Sequence, residues 1–314
     1  MKKQIILGAG GAIGIVLAKE LISNKENVKL VSRSGHSMPQ AESAKADLTR
    51  FDEVKNAVEE NSIVYLTVGL KYNVKVWQAN WMNIMRNTVE ACKAKNSKLI
   101  FFDNIYALGK VNGKMTEYSP VNPCSEKGEV RAKLIEYLQS EMKNKSLDII
   151  IARSADFYGP YAPTSSIPNI LVIDRLMKGK KPQWFVNADV KHSFTYSEDC
   201  GKALYLLARD EKAYNQVWHL PTASPAITGK QFIELAAMKL GVPSKIMVMP
   251  KWMIKLGGLY ESTIKELYEM LYQSEFDYEF DSTKFENHFS FIPIPYEAGI
   301  ARTIDYYKNK SSYK

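Results

Sequence analysis

A glycine-rich segment near the N-terminus has residue types and spacing suited to holding a phosphate group. Gly8, Gly11 and Gly14 follow the apolar run Gln4–Leu7 and lead directly into a segment of helical period. Glycine permits positive φ and close approach of backbone N–H groups to a pyrophosphate, and a helix N-terminus carries about half a positive charge. A tight turn whose small residues serve only packing is the alternative. The position after a first strand favours dinucleotide binding. The predicted contacts are Gly8, Gly11, Ala12, Ile13 and Gly14.

The end of the second apolar run discriminates between the two nicotinamide dinucleotides. A site for NAD usually places Asp or Glu about 20 residues after the glycines, where the carboxylate binds the ribose hydroxyls. Ser32 and Arg33 occupy this point instead, and a guanidinium suits the 2′-phosphate of NADP. NADP is therefore predicted over NAD, with a solvated arginine at a strand end as the alternative. Asp47 and Leu48 close the next extended stretch, where they either lie under the adenine or cap the following helix.

Apolar runs that alternate with helical segments predict a parallel α/β sheet, since strands covered on both faces are continuously apolar. The predicted strands are Gln4–Leu7, Val28–Ser32, Ile63–Thr67, Leu99–Phe102 and Asp148–Ala152. The predicted helices between them are Ala12–Ser23, Phe51–Glu59, Val76–Lys95 and Gly128–Lys143. The less regular second half has predicted helices near Asp199–Arg209, Thr228–Leu240 and Trp252–Tyr272, and strands at Val190–Tyr196 and Gln216–Leu220. A smaller C-terminal lobe follows, with the chain passing between the lobes more than once.

Composition limits the other classes of function. The chain has 314 residues, 42 Lys+Arg against 34 Asp+Glu, a net charge of +8 and three cysteines. The lysines are scattered, so no nucleic acid partner is expected. The cysteines are far apart and lack metal spacing, so reduced thiols in a cytoplasmic protein are expected, with no metal. Glycines interrupt the N-terminal apolar run, and no run approaches the ~20 apolar residues of a membrane span, so neither a secretory signal nor a membrane partner is expected.

Several segments resemble the extended short-chain dehydrogenase/reductase superfamily, in particular the NAD-dependent epimerase/dehydratase branch, over nearly the whole chain. Besides the glycine loop, they are 64–69, 101–109, 151–160 and 192–199. The resemblance implies a doubly wound parallel sheet, the Rossmann fold, with a smaller C-terminal substrate lobe. The implied domains are 1–160 for the dinucleotide, with returning segments near 190–220, and 161–314 mainly for the substrate. The resemblance adds three expected cofactor contacts after the strand that begins at Ile63: Thr67, Val68 and Gly69.

The catalytic residues of the family do not carry over unchanged. Asn104 stands where members usually have Ser or Thr. In the register of the usual Tyr-x-x-x-Lys, this sequence has Lys127 and Arg131, two cations four residues apart. Like charges at this spacing disfavour a helix by a few tenths of a kcal/mol, a penalty that a bound anion would remove. A solvated basic helix face is the equally weighted alternative.

Tyr106, in the loop after the apolar run Leu99–Phe102, is the expected acid/base, because a nearby ammonium in a dry cleft favours ionisation of a phenol. Lys127 and Arg131 are its expected electrostatic partners, and Asn104 is expected to orient the substrate oxygen. A packed tyrosine with a hydrogen-bonded hydroxyl is the alternative. Arg153 and Tyr158 are expected to shape the substrate pocket. The alternative is that they belong to a turn with a purely structural role.

Two functions follow from the sequence. The first is an NADP-dependent oxidoreductase or epimerase that moves hydride between the nicotinamide and a carbonyl or alcohol of a small-molecule substrate. The second is a catalytically silent NADP-binding protein, with a redox-sensing or scaffolding role, that retained the glycine loop and lost the Tyr/Lys pair. The substrate stays open at this point, as does assembly into a homodimer.

Overall fold

Continuous apolar segments form the central strands. The computed structural model describes residues 2–311. Its strands are β1 (Gln4–Leu7), β2 (Val28–Ser32), β3 (Glu42–Lys45), β4 (Ile63–Leu66), β5 (Lys98–Asp103), β6 (Ile149–Arg153), β7 (Asp156–Tyr158), β8 (Gln183–Phe185), β9 (Lys191–His192), β10 (Phe194–Tyr196), β11 (Gln216–His219), β12 (Ile227–Thr228) and β13 (Met247–Met249).

Helices follow most of these strands. They are α1 (Ala12–Ser23), α2 (Phe51–Ala57), α3 (Val74–Ala94), α4 (Glu126–Lys143), α5 (Asp174–Met177), α6 (Ser197–Arg209), α7 (Gly229–Leu240), α8 (Lys251–Tyr260), α9 (Ser262–Leu267), α10 (Thr283–Phe289) and α11 (Tyr296–Ser311). A 3₁₀ turn, Tyr106–Leu108, follows β5. Among the described residues, no helix is long and apolar enough to cross a membrane.

Within residues 2–311, seven strands form one parallel sheet in the order β11-β6-β5-β4-β1-β2-β3. The strand order reverses between β1 and β4, and in open parallel sheets ligands bind at the carboxyl ends of the strands beside such a switch point. The glycine loop follows β1 and Thr67 follows β4, so both lie at this point. The predicted doubly wound parallel fold is confirmed.

The chain divides into two compact units. Unit 1 comprises residues 1–109, 121–154 and 200–220, and it contains the seven-stranded sheet. Its largest core cluster joins apolar residues of the central strands to α3 and α4. Unit 2 comprises residues 110–120, 155–199 and 221–314. Its core is built from aromatic and aliphatic side chains of its short strands, α7 and α11.

Four local details differ from the sequence-based expectations. β3 is a largely exposed edge strand, so it lacks an apolar run. The single helix expected over 252–272 is interrupted at Glu261, which has extended backbone and accepts a hydrogen bond from the Thr263 N–H. The strand expected over 190–196 is two strands separated by Ser193. Asp199, which its place at the head of a predicted helical segment marks as an expected N-cap, lies inside α6 instead, and its carboxylate accepts a hydrogen bond from the Ile294 N–H at 2.8 Å.

Candidate functional site

At two positions of the glycine loop, neighbouring backbone atoms leave no room for a side chain. Gly8 has φ of +99°, and an added Cβ would lie 2.4 Å from the Cα of Val68. A Cβ at Gly14 would lie 2.7 Å from the Gly8 carbonyl oxygen, so this glycine lets α1 approach the end of β1. Real Cβ atoms do not make such contacts with backbone, and Gly8 also has backbone torsions that L-residues rarely adopt. Packing alone therefore explains Gly8 and Gly14.

Gly11 has a different surrounding. It is the exposed N-cap residue of α1, with an ordinary φ of −80°. A Cβ there would lie 3.4 Å from the Gly8 carbonyl oxygen, which is normal van der Waals contact. Packing within the chain therefore leaves room for a larger residue. As the N-cap residue, Gly11 directly precedes the first turn of α1, which no side chain caps and whose backbone N–H groups favour an anion. The site fits a dinucleotide pyrophosphate.

The turn after β2 lies beside this loop. Ser32 Oγ accepts a hydrogen bond from the His36 N–H at 2.8 Å. This turn carries Arg33 to an exposed position. A Cβ at Gly10 would lie 3.6 Å from the Cβ of His36. The predicted residues Ser32 and Arg33 thus share one turn with a histidine that packs against the glycine loop.

His36 has a buried ring nitrogen, Nε2, for which the chain provides no hydrogen-bond partner among the described residues. A buried polar atom without a partner costs free energy unless a ligand or water satisfies it. Its position beside Gly10 makes a bound ligand of the glycine loop a natural partner. His36 is not among the residues predicted from the sequence, although it stands shortly after the second strand.

Asp47 belongs to a turn before α2. Its carboxylate accepts hydrogen bonds from Thr49 N–H at 3.0 Å and Thr49 Oγ1 at 2.8 Å. These bonds lower the pKa of the Asp47 carboxyl below its ordinary value, and Arg33 adds to the effect. The N-cap of α2 is Arg50, so capping of that helix by Asp47 or Leu48 is wrong. Leu48 is buried in the core of unit 1. Adenine contact stays a prediction for both.

The segment after β4 packs against the loop after β1. The Thr67 N–H donates to the Leu7 carbonyl at 2.9 Å. Val68 is the residue that a Cβ at Gly8 would strike, whereas a Cβ at Gly69 would meet nothing within 4 Å. The three predicted contacts therefore line the switch point, and Gly69 faces open space there.

The segment after β5 holds Asn104 and Tyr106. The Asn104 Oδ1 accepts a hydrogen bond from the Tyr106 N–H at 3.1 Å, which forms a tight turn and uses part of the polar capacity of Asn104. The Tyr106 ring is half-buried and stacks on Trp77, with ring centroids 6.2 Å apart and planes 14° apart. Gly128 of α4 allows close packing here, since a Cβ on it would lie 2.7 Å from the Tyr106 carbonyl oxygen.

Trp77 joins Tyr106 to both predicted cations. The Arg131 guanidinium lies 5.0 Å from the Trp77 ring and 4.0 Å from the Trp81 ring. The Lys127 ammonium lies 4.7 Å from the ring of Tyr72, which itself meets Trp77 edge-on. The Trp77 cluster, as we term it, thus brings three of the four predicted catalytic residues together in unit 1. Its members are Tyr72, Trp77, Trp81, Tyr106, Lys127 and Arg131.

A buried carboxylate anchors this cluster from the sheet side. Asp103 is fully buried at the end of β5; its oxygens lie 3.4 Å from Arg131 Nη1 and 3.7 Å from Arg153 Nε. Burial raises the pKa of the Asp103 carboxyl, and the two guanidinium groups act in the opposite direction. Burial likewise lowers the pKa of Arg131. Asp103 and Trp77 are not among the residues predicted from the sequence. An acidic residue that closes an apolar strand, and two tryptophans four residues apart in a helix, are the signals that could have indicated them.

The two residues predicted to contact the substrate, Arg153 and Tyr158, are both buried. Arg153 is in register with Asp103 across β5 and β6 and is 2% exposed. Tyr158, in unit 2, is fully buried, with its ring against Tyr196, Phe232 and Tyr296. Arg153 and Tyr158 therefore pack inside separate units, and their roles toward a substrate stay predictions.

Comparison with known proteins places the chain in a class. The model of the NAD dependent epimerase/dehydratase family matches residues 4–219. The chain belongs to this family, as the motifs predicted. A comparison with curated proteins gives no match.

Solved structures share the fold. A dTDP-glucose 4,6-dehydratase from Bacillus anthracis is 15% identical, with a TM-score of 0.80 over 100% of this chain and 98% of that one. The UDP-glucose 4-epimerase of Thermotoga maritima is 18% identical, with a TM-score of 0.80 over 98% and 99%. The UDP-glucuronic acid 4-epimerase of Bacillus cereus is 18% identical, with a TM-score of 0.78 over 99% and 100%.

Proposed function

We propose that this protein is a nicotinamide-dinucleotide-dependent enzyme that moves hydride between the cofactor and a carbonyl or alcohol carbon of a small molecule. The observation that carries the proposal is Gly11. Packing within the chain would allow a side chain there, and Gly11 directly precedes the first turn of α1, which no side chain caps. A bound pyrophosphate supplies both the reason for glycine and the acceptor for the backbone N–H groups of Ala12 and Ile13.

The remaining cofactor contacts follow from the sheet. We assign Ser32, Arg33 and His36 to the adenosine ribose, and Thr67 to Gly69 to the other side of the switch point. The turn that Ser32 and His36 share and the hydrogen bond of Thr67 to the end of β1 support this assignment. The exposed guanidinium of Arg33 and the unsatisfied Nε2 of His36 support NADP, since a 2′-phosphate accepts hydrogen bonds from both types of group. Several structural neighbours were determined with NAD, so both dinucleotides belong in the test.

Tyr106 is the proposed acid/base, because its phenol lies in the Trp77 cluster with Lys127 and Arg131. A bound dinucleotide would supply the hydride chemistry, and the Tyr106 hydroxyl would hold or release the proton of the reacting oxygen. Arg131 is buried against Trp77 and Trp81 and faces Asp103, so we assign it a positioning role. Lys127 is buried over Tyr72 and contributes positive charge to the same cluster.

A second function has its own supporting observation. Lys127 and Arg131 replace the usual Tyr/Lys pair, and both are engaged in buried packing. This burial favours a dinucleotide-binding protein that performs no hydride transfer. The two candidates differ in chemistry alone, since both require the glycine loop.

The experiment that tests the proposal measures hydride transfer with nucleotide sugars, the compounds named for the structural neighbours, followed by simple carbonyl compounds. Tyr106→Phe keeps the ring that stacks on Trp77 and removes only the hydroxyl. We expect turnover to fall by about two to four orders of magnitude with unchanged dinucleotide affinity. Tyr161→Phe, in unit 2, is the matched control for loss of a hydroxyl. Dinucleotide binding without turnover of any substrate establishes the silent function, and no dinucleotide binding overturns both.

A further inference from the structure

Helix α8 of unit 2 presents an apolar row to solvent. Trp252 is 63% exposed, Leu256 52%, Leu259 76% and Tyr260 92%. Their spacing of four, three and one residues places them along one side of the helix. The exposed Val248 of β13 precedes the same helix. We term this set the α8 surface. Its members are Val248, Trp252, Leu256, Leu259 and Tyr260.

The rest of α8 is occupied by packing within unit 2. Ile254 is buried, and it is the anchor of the helix. A Cβ at Gly258 would lie 3.0 Å from the Cα of Lys265, so the glycine side of α8 is in contact with α9. Because α9 already covers that side, the apolar row is the face that remains for a partner.

Lysines flank the α8 surface. Lys251 and Lys255 lie one position before Trp252 and Leu256, and Lys245 and Lys265 are exposed on the adjoining segments. Lys251 also forms an ion pair with Glu275. The nearby carboxylates are the exposed Glu261 and the half-buried Glu266 and Glu269, besides Glu275. The exposed charged side chains that flank the apolar row are therefore mostly lysines, four against one glutamate, and the whole chain carries +8.

We propose that the α8 surface docks on an anionic lipid bilayer. Trp and Tyr lie favourably at the boundary between acyl chains and headgroups, Leu inserts below it, and lysines pair with anionic headgroups above it. A second copy of the chain is a poorer fit, since a two-fold contact through this surface would oppose the same lysines to one another. Docking of this kind is peripheral, and it departs from the sequence-based expectation of no membrane partner.

Trp252 provides a specific reporter of docking. The chain has five tryptophans, all within the described residues, and the other four are at most 6% exposed: Trp77, Trp81, Trp184 and Trp218. The full-length protein is mixed with vesicles of phosphatidylcholine alone or of phosphatidylcholine with phosphatidylglycerol. We expect sedimentation only with the anionic vesicles. Trp252 emission should shift to shorter wavelength and be quenched by brominated acyl chains.

Variants separate docking by α8 from general charge attraction. Leu256→Ser with Leu259→Ser keeps Trp252 and the net charge and alters only exposed side chains, and we expect at least tenfold weaker vesicle binding. Lys255→Glu should weaken binding severalfold and reduce its salt dependence. Ile292→Ser, which removes an 86% exposed aliphatic side chain on another segment, is the control that should bind normally. The proposal is overturned by no binding to anionic vesicles, by equal binding of the double variant, or by a lipid-free dimer that shields Trp252.

Discussion

Gly11 and Gly8 are both glycines of one loop, yet they have different reasons to be glycine. Gly8→Ala forces a Cβ against Val68 at positive φ, so the free energy of unfolding should fall by about 2–4 kcal/mol. Gly11→Ala meets only normal contacts, so stability should change by less than about 1 kcal/mol while dinucleotide affinity falls at least tenfold. Urea unfolding and fluorescence titration measure the two effects. Unchanged dinucleotide affinity in Gly11→Ala would show that the small residues of the loop serve only packing.

Substitutions at Arg33 and His36 test whether the protein prefers NADPH to NADH. We expect the parent protein to bind NADPH more tightly than NADH, and Arg33→Ala to narrow the difference by about 1–3 kcal/mol through loss of a charge-assisted hydrogen bond. His36→Ala should narrow it further if Nε2 contacts the ribose phosphate. Binding isotherms for both dinucleotides measure the effect, with Arg50→Ala as a control on an exposed arginine of a neighbouring segment. Equal affinities in the parent protein would remove the argument for NADP.

At the scale of elements, Asp103 links strands to helices. Its carboxylate at the end of β5 faces Arg153 of β6 and Arg131 of α4, and Arg131 stacks on two tryptophans of α3. The orientation of the Tyr106 turn therefore depends on a buried ion cluster that joins four elements. A cluster of this kind contributes little net stability when intact, but leaving one partner buried alone is costly.

Asp103→Asn removes the carboxylate and leaves two buried guanidinium groups. We expect the free energy of unfolding to fall by about 3–5 kcal/mol. Glu60→Gln, which breaks the surface pair with Lys95, is the matched control and should cost less than about 1 kcal/mol. Denaturant unfolding followed by circular dichroism compares the two. Similar small losses in both variants would show that the buried cluster does not hold α4 to the sheet.

At the scale of the whole molecule, dinucleotide binding should be visible as stabilisation. Any ligand that binds only the folded state stabilises it, by about 2.7 kcal/mol at a hundredfold excess over the dissociation constant. We therefore expect a higher melting temperature with the preferred dinucleotide, and slower amide hydrogen exchange in β1, α1 and the loop after β4. Gly11→Ala is the control that should show neither. Protection confined to unit 2 would place the ligand away from the glycine loop.

The sequence determined the parallel sheet because its signals are local. Apolar runs such as Gln4–Leu7 and Ile63–Leu66 are strands wherever both faces are covered, and the glycine spacing after the first strand requires only the adjoining turn and helix. The edge strand β3 was not predicted, because an edge strand with solvent-exposed faces needs no apolar run. The interruption of the helix at Glu261 was not predicted, because the apolar periodicity of the sequence continues across this residue.

Tertiary structure alone decided the surroundings of the predicted site residues. The sequence spaced Lys127 and Arg131 on one helix. The tryptophans beside Arg131 come from α3, some 50 residues earlier, Tyr72 beside Lys127 comes from the segment just before α3, and the carboxylate facing Arg131 comes from β5. Likewise, the sequence could not distinguish Gly11, where a Cβ has room, from Gly8, where Val68 excludes one. Burial, charge pairing and close backbone contact depend on segments distant in sequence, and only the folded chain brings those segments together.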